Sequence, residues 1–256
     1  MKSLMWFRND LRTDDNPALK NACIESDEVQ AIYIFSSKQN SLHNEANCKI
    51  QFIIENLKNL EISLRKINIP LTILASNGFV DNSAIILKLT EERSLNKVFW
   101  NNQFGKDEDK RDELVSGSLK KNNIEFSSYD EKTVYSPGSI RTMENKPYSV
   151  FTPFKKKWIE NFNLDFLDIE FKYLPKKKSL IESNVLDFDF EYKKNHSVDM
   201  SLWPVGEANA KDKLNLYLSN NILRYSSDRN DPIIDGTSRI SPYLANGIIS
   251  PKRCIL

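Results

Sequence analysis

Five short apolar runs separated by four helical stretches constrain this chain more than any other feature of its sequence. The runs span residues 4–7, 29–35, 71–75, 98–100 and 124–129. The second and fourth are almost continuously apolar, the pattern of a strand buried on both faces of a parallel sheet. Between the runs, Ile53, Leu57, Leu60 and Leu64 recur at helical spacing. Ile85, Ile86, Leu87 and Leu89 mark a second helix. Leu114, Val115 and Leu119 mark a third, with acidic residues in its first turn. Asn16-Pro17 reads as an N-cap followed by a first-turn proline, so a helix starts there too. Strands alternating with helices predict an α/β fold, a doubly wound parallel five-stranded sheet over residues 1–130.

Residues 131–205 lose the alternation. They carry Pro137, Pro147, Pro153, Pro175 and Pro204, and lysine runs at 155–157 and 176–178. This stretch reads as an interdomain linker with one short helix near 155–163. Helical spacing returns with Ala208, Ala210, Leu214, Tyr217 and Leu218. Ser241-Pro242 and Ser250-Pro251 each place serine at a helix N-cap and proline at the first turn, with Gly247 as a C-cap between them. Residues 206–256 are therefore expected to begin a helical domain that the sequence leaves truncated.

Composition removes several classes. With 36 Lys and Arg against 35 Asp and Glu, the chain is no globally basic nucleic-acid coat, although local patches remain open. The 3 cysteines, Cys23, Cys48 and Cys254, form no C-x-x-C pair, which fits a reducing cytoplasm better than a disulfide framework. No apolar run approaches the ~18 residues of a membrane span. The first residues turn charged too early for a signal peptide. Glycine-rich dinucleotide and P-loop motifs, zinc-protease motifs and a nucleophile elbow are all missing. His43 and His196 are the only histidines, so neither a histidine triad nor a metal site is expected.

Four places could carry chemistry. The turn Arg8-Asn9-Asp10-Leu11-Arg12 follows the first strand, at the sheet edge where open α/β folds bind ligands. Its charges could equally pair with one another and fix the turn. Asp107-Glu108 opens a helix at the same edge, where a carboxylate can bind an N–H-rich heterocycle or simply complement the helix dipole. Thr237, Ser238 and Ser241 surround Arg239 ahead of a helix, as in a phosphate site or an over-decorated cap. Lys155, Lys156 and Lys157 before Trp158 read as a DNA-facing patch or a solvated helix face.

These pieces together resemble the DNA photolyase and cryptochrome family. Trp6-Phe7-Arg8-Asn9-Asp10-Leu11-Arg12 with Asp15-Asn16 and Ala18-Leu19 is similar to its opening signature. Phe151-Thr152-Pro153-Phe154, then Trp158, resembles the segment after its α/β domain, in the form of the bacterial cyclobutane-dimer photolyases. Gly236-Thr237-Ser238-Arg239-Ile240-Ser241-Pro242-Tyr243-Leu244 resembles its first flavin-binding segment. The resemblance implies a light-dependent deoxyribodipyrimidine photolyase that repairs ultraviolet-induced pyrimidine dimers by electron transfer from reduced FAD. By matching positions it implies that Tyr225, Thr237, Ser238, Arg239, Ile240 and Ser241 hold FAD. Arg229 would contact damaged DNA, and Glu108 would bind a folate antenna, methenyltetrahydrofolate. The neighbouring family asparagine is Asp107 here.

Family members are about twice this length. The residues that relay electrons to FAD are absent, and Trp6, Trp100, Trp158 and Trp203 do not match them, so no catalytic residue is assigned. The chain alone is expected to be a fragment, a cytoplasmic monomer that neither holds FAD tightly nor repairs DNA, unless a second chain supplies the missing helices. The alternatives are a stand-alone nucleotide- or pterin-binding α/β module and half of a cryptochrome photoreceptor.

Overall fold

Strand β1 (Lys2–Phe7) is buried from Ser3 onward, and the rest of the domain is built around it. The structure is a computed structural model that describes residues 1–163, 174–185 and 199–256. β1 pairs in parallel with β2 (Glu28–Phe35) on one side and β4 (Lys97–Asn101) on the other. β3 (Leu71–Ala75) and β5 (Glu125–Tyr129) complete the parallel order β3-β2-β1-β4-β5. The winding reverses at β1, where β2 and β4 diverge, and this is the switch point where such sheets bind ligands.

Alternation along β1 feeds two cores. Met5 and Phe7 face α1 (Pro17–Glu25) and α3 (Asn47–Lys66), and share a core with Leu19, Leu57, Leu60 and Leu64. Leu4 and Trp6 face α4 (Asn82–Glu92) and α5 (Lys106–Lys121), with Ile86, Leu89, Val115 and Leu119. Each such aliphatic side chain contributes roughly 1.5–3 kcal/mol on burial. Asn16 caps α1 as its sequence predicts, its Oδ1 accepting the Leu19 amide at 3.1 Å.

Some stripes differ from the sequence expectation. Leu114 is exposed, because the buried line of α5 is Arg111, Val115 and Leu119 at i, i+4, i+8. Ile53 is only half-buried, at a cleft edge. Helix α2 (Ser37–Leu42) buries nothing and was invisible to hydrophobic periodicity. Helix α6 (Phe151–Asn161) starts earlier than expected, with Pro153 in its first turn, where no amide is needed. It too buries no residue. Trp158 stacks on Phe162 at 5.3 Å instead.

The edge strand β3 is covered. Asn184 pairs its side-chain amide with Ile73, accepting from Ile73 N at 2.6 Å and donating to Ile73 O at 3.0 Å. It thus imitates one residue of a neighbouring strand and blunts an edge open to aggregation.

Residues 204–256 dock on the turn after β1. Helix α7 (Glu207–Asn220) buries Ala210, Leu214 and Tyr217, while Ala208 and Leu218 face outward, contrary to the predicted stripe. After α8 (Tyr225–Asp228) comes α9 (Ser241–Ala245), capped by Ile240 rather than Ser241, whose side chain makes no cap bond. Residues 251–255 form turns rather than a regular helix, with Ser250 Oγ accepting the Arg253 amide at 2.9 Å. Gly247 is the left-handed residue that ends α9, at φ +61°. The Gly247 amide bonds Leu244 O and the Ile248 amide bonds Tyr243 O, a Schellman closure.

That closure seats on residues 9–15. The Leu11 amide donates to Asn246 O at 3.1 Å. Arg12 donates to Gly247 O at 3.0 Å, Glu131 at 2.6 Å and Asp15 O at 2.6 Å. Glu207 accepts the amides of Thr13 and Asp14, and Asp14 pairs with Arg253 at 2.8 Å. The expectation that Arg8, Asp10 and Arg12 pair with one another holds only in part: Asp10 accepts the Arg8 amide at 2.6 Å and so fixes the turn, while the two guanidiniums reach out to Asp112 and Glu131.

The thiols give a direct check on this packing. Burial pushes Cys23 up to about 12 and Cys254 up to about 11, whereas Cys48 is exposed. Since the thiolate is the nucleophile, iodoacetamide at about pH 8 is expected to add once, at Cys48. Fast modification of Cys23 or Cys254 in intact-mass spectra would contradict the fold.

Candidate functional site

A cleft of about 130 Å³ opens at the carboxyl edge of β1, β2 and β4. Trp6 lines it, only 1% exposed, with two guanidiniums over its ring. Arg8 lies 4.6 Å and Arg111 5.0 Å from the indole centroid, and Arg111 also lies 4.9 Å from the Phe79 ring. Asp112 joins them, receiving Arg8 Nη1 at 2.7 and 2.9 Å and Arg111 Nε at 2.8 Å. Arg8 also donates to Asn101 O. Burial, and then the neighbouring Arg111, bring Arg8 down to about 10, still charged at neutral pH. Burial also raises the Tyr33 phenol on the facing wall, so it stays protonated.

Glu108 reaches the cleft from the first turn of α5. Its carboxylate folds back over Gly105, where a Cβ would collide with it. Asp107 stays at the rim, 3.8 Å from His43 Nε2. Four buried polar atoms of cleft residues have no hydrogen-bond partner among the described residues: Trp6 Nε1, Arg8 Nε, Asn82 Oδ1 and Arg111 Nη2, of which the last still lies 2.7 Å from Asp112 as an ion pair. Guanidinium donors, one acceptor and a carboxylate beside an aromatic ring suit a flat heterocycle carrying N–H and C=O groups.

The second candidate region is 225–241. Tyr225 is 41% exposed, and the Arg229 guanidinium lies 5.4 Å from its ring. Arg239 adopts φ +50° and pairs with Asp235 at 2.8 Å. Trp203 Nε1 holds the Arg239 carbonyl at 3.1 Å. Thr237 and Ser241 are exposed, Ser238 is half-buried, and Ile240 is buried in the core. Among the described residues none of the three hydroxyls bonds Arg239. The sequence places these groups on one loop, and the fold leaves Thr237, Arg239 and Ser241 facing outward with an acidic partner on the arginine.

Arg8 and Glu108, both singled out in the sequence, line the cleft, and so do Arg111, Asn82 and Tyr33, which were not. Arg111 had a signal: it lies one turn from Glu108 on the same helix. Asn82 and Tyr33 had none, since only the fold brings them to the cleft. His196 lies outside the described residues. Among those described, no cluster of three His, Cys, Asp or Glu side chains could hold a metal, and no helix is long and apolar enough to cross a membrane.

Comparisons with known proteins agree with this fold. Residues 3–176 match the family model for DNA photolyase. The deoxyribodipyrimidine photo-lyase of Escherichia coli is 32% identical over 253 residues, covering 98% of this chain and 53% of that protein. A bacterial class III photolyase from Agrobacterium tumefaciens superposes with a TM-score of 0.81 at 24% identity, over 99% of this chain and 52% of that one. An archaeal photolyase from Sulfolobus tokodaii gives 0.73 at 22% identity, over 99% and 54%. The chain thus spans about half the length of the relatives it matches. With the parallel sheet, the switch-point cleft and a family match over residues 3–176, the chain belongs to the DNA photolyase family.

Proposed function

We propose that this chain supplies the antenna-binding half, and the first FAD-binding segment, of a light-driven deoxyribodipyrimidine photolyase. The observation that carries this reading is the built cleft at the switch point, joined through residues 9–15 to the segment holding 235–241. The Sulfolobus protein is described with two FAD molecules, implying a light-harvesting cofactor, which supports a second chromophore in this fold.

The carboxylate and the donors of the cleft suit the pterin ring of a folate antenna. Glu108 would accept from the N–H groups of the pterin ring, and Arg8 Nε would donate to its oxygen or nitrogen acceptors. Glu108→Gln is expected to weaken methenyltetrahydrofolate binding about tenfold, the worth of one charge-assisted bond. Unchanged affinity would remove Glu108 from the site. On the other segment, Thr237, Ser238, Ser241 and Arg239 would hold the FAD phosphates, with Arg239 exchanging Asp235 for phosphate. Tyr225 and Ile240 would pack beside the cofactor, and Arg229 would meet a DNA phosphate. When bound, reduced FAD supplies the photoexcited electron that splits the dimer. The chain's own residues bind, orient and keep the two chromophore sites in fixed relation. Repair requires more of the helical unit than these residues contain, from the same or a second chain.

The intact 235–241 segment favours this reading over a stand-alone pterin-binding module, which has no use for it. The test is survival after ultraviolet exposure in cells with and without the gene. Recovery that needs both visible light and the gene is expected. Recovery unaffected by deletion would contradict the repair function and leave a ligand-binding or signalling role.

A further inference from the structure

We infer that Arg8 and Arg111 protect an excited chromophore in the cleft from being quenched by Trp6. The inference rests on the reading of this cleft as an antenna site. An antenna is useful only if its excited state lives long enough to pass energy on. Trp6 lines the cleft, and an indole close to an excited pterin or flavin ring is a ready electron donor even without direct contact. In that step one electron moves from the indole π system into the half-empty orbital of the excited ring. The products are a tryptophan radical cation and a ligand radical anion. No bond forms or breaks, and recombination returns the electron with the excitation lost. A second hop is at hand, since Trp100 lies 6.1 Å from Trp6, edge to face.

The surroundings of Trp6 oppose this loss. Arg8 and Arg111 stand 4.6 and 5.0 Å from its ring, all three buried. The neutral indole attracts both guanidiniums through its quadrupole. The oxidised indole carries a positive charge and is repelled by both, strongly because water is excluded. Asp112 pairs with both guanidiniums and Asp10 acts on Arg8 from the turn, but the two cations are the charges that lie over the ring. The other aromatic donor lining the cleft, Tyr33, is held as the neutral phenol, a poorer donor than its anion.

The test is time-resolved fluorescence of methenyltetrahydrofolate and of riboflavin, each titrated into the 256-residue chain. Binding is followed separately by anisotropy. In the unaltered chain Trp6→Phe is expected to leave the bound-probe lifetime unchanged, because Trp6 is already a poor donor. Arg111→Met is expected to shorten the lifetime more than about fivefold, as one charge leaves a low-dielectric site. Arg111→Lys is expected to restore it, and so is Trp6→Phe added to Arg111→Met. A several-fold longer lifetime in Trp6→Phe alone would overturn the inference, as would an unchanged lifetime in Arg111→Met with the probe still bound. No anisotropy change for either probe would overturn the antenna reading together with the inference drawn from it.

Discussion

Arg12→Met is expected to lower stability by about 3–5 kcal/mol, because it leaves the buried Glu131 carboxylate without its cation. Arg12 is 1% exposed and Glu131 4%. The guanidinium also ties Gly247 O and Asp15 O, so one substitution cuts the α/β domain, the segment after β5 and the 204–256 region apart. Urea unfolding followed by circular dichroism measures the loss as a shift in midpoint. Adding Glu131→Leu removes the stranded charge and is expected to recover most of it, since an apolar pair in a buried site can match an ion pair. A single variant within about 1 kcal/mol of the parent would show that this junction does not hold the chain together.

Gly247→Ala is the second large effect, and it acts on docking more than on the sheet. The residue sits at φ +61°. A Cβ there would fall 2.5 Å from Asp10 Cα, and closer still to the Asn9 carbonyl oxygen. Left-handed strain and the backbone clash together are expected to cost about 2–4 kcal/mol. The cost should be felt where residues 240–256 meet the turn after β1. Cys254 reports that contact and Cys23 reports the α/β core. The variant is expected to expose Cys254 to iodoacetamide while Cys23 stays protected. Equal protection of both would mean that the close approach is not required for docking, and exposure of both would mean that the two regions unfold as one.

Much of this fold was legible in the sequence, and the reasons are physical. Four of the five strands are central or carry buried runs, and β2 and β4 declare themselves because both faces are covered. Asn16-Pro17 fixes the start of α1 through local chemistry alone. Elements held by polar or aromatic contacts were less visible. Helix α2 buries nothing, and Asn184 covers the β3 edge with a side-chain amide that has no periodic signature. Ser241-Pro242 was misread by one residue, because Ile240 is drawn into the core and itself becomes the cap.

The candidate sites divide along the same line. Glu108 could be read from its place at a helix start. The placing of two guanidiniums over Trp6 could not, since Arg8 and Arg111 come from separate elements. Region 225–241 was legible as a motif but not as a geometry. Its order of residues announces a phosphate loop, yet Arg239 is paired with Asp235, and the Thr237 and Ser241 hydroxyls face outward.

The central claim is that the α/β domain holds an antenna by itself while the FAD segment does not suffice alone. The most direct measurement is a side-by-side titration of the purified chain with methenyltetrahydrofolate and with FAD, read by equilibrium dialysis. The account predicts saturable, one-to-one binding of methenyltetrahydrofolate, weakened by Glu108→Gln, and FAD that dialyses away. Tight retention of FAD with no binding of the folate would contradict it.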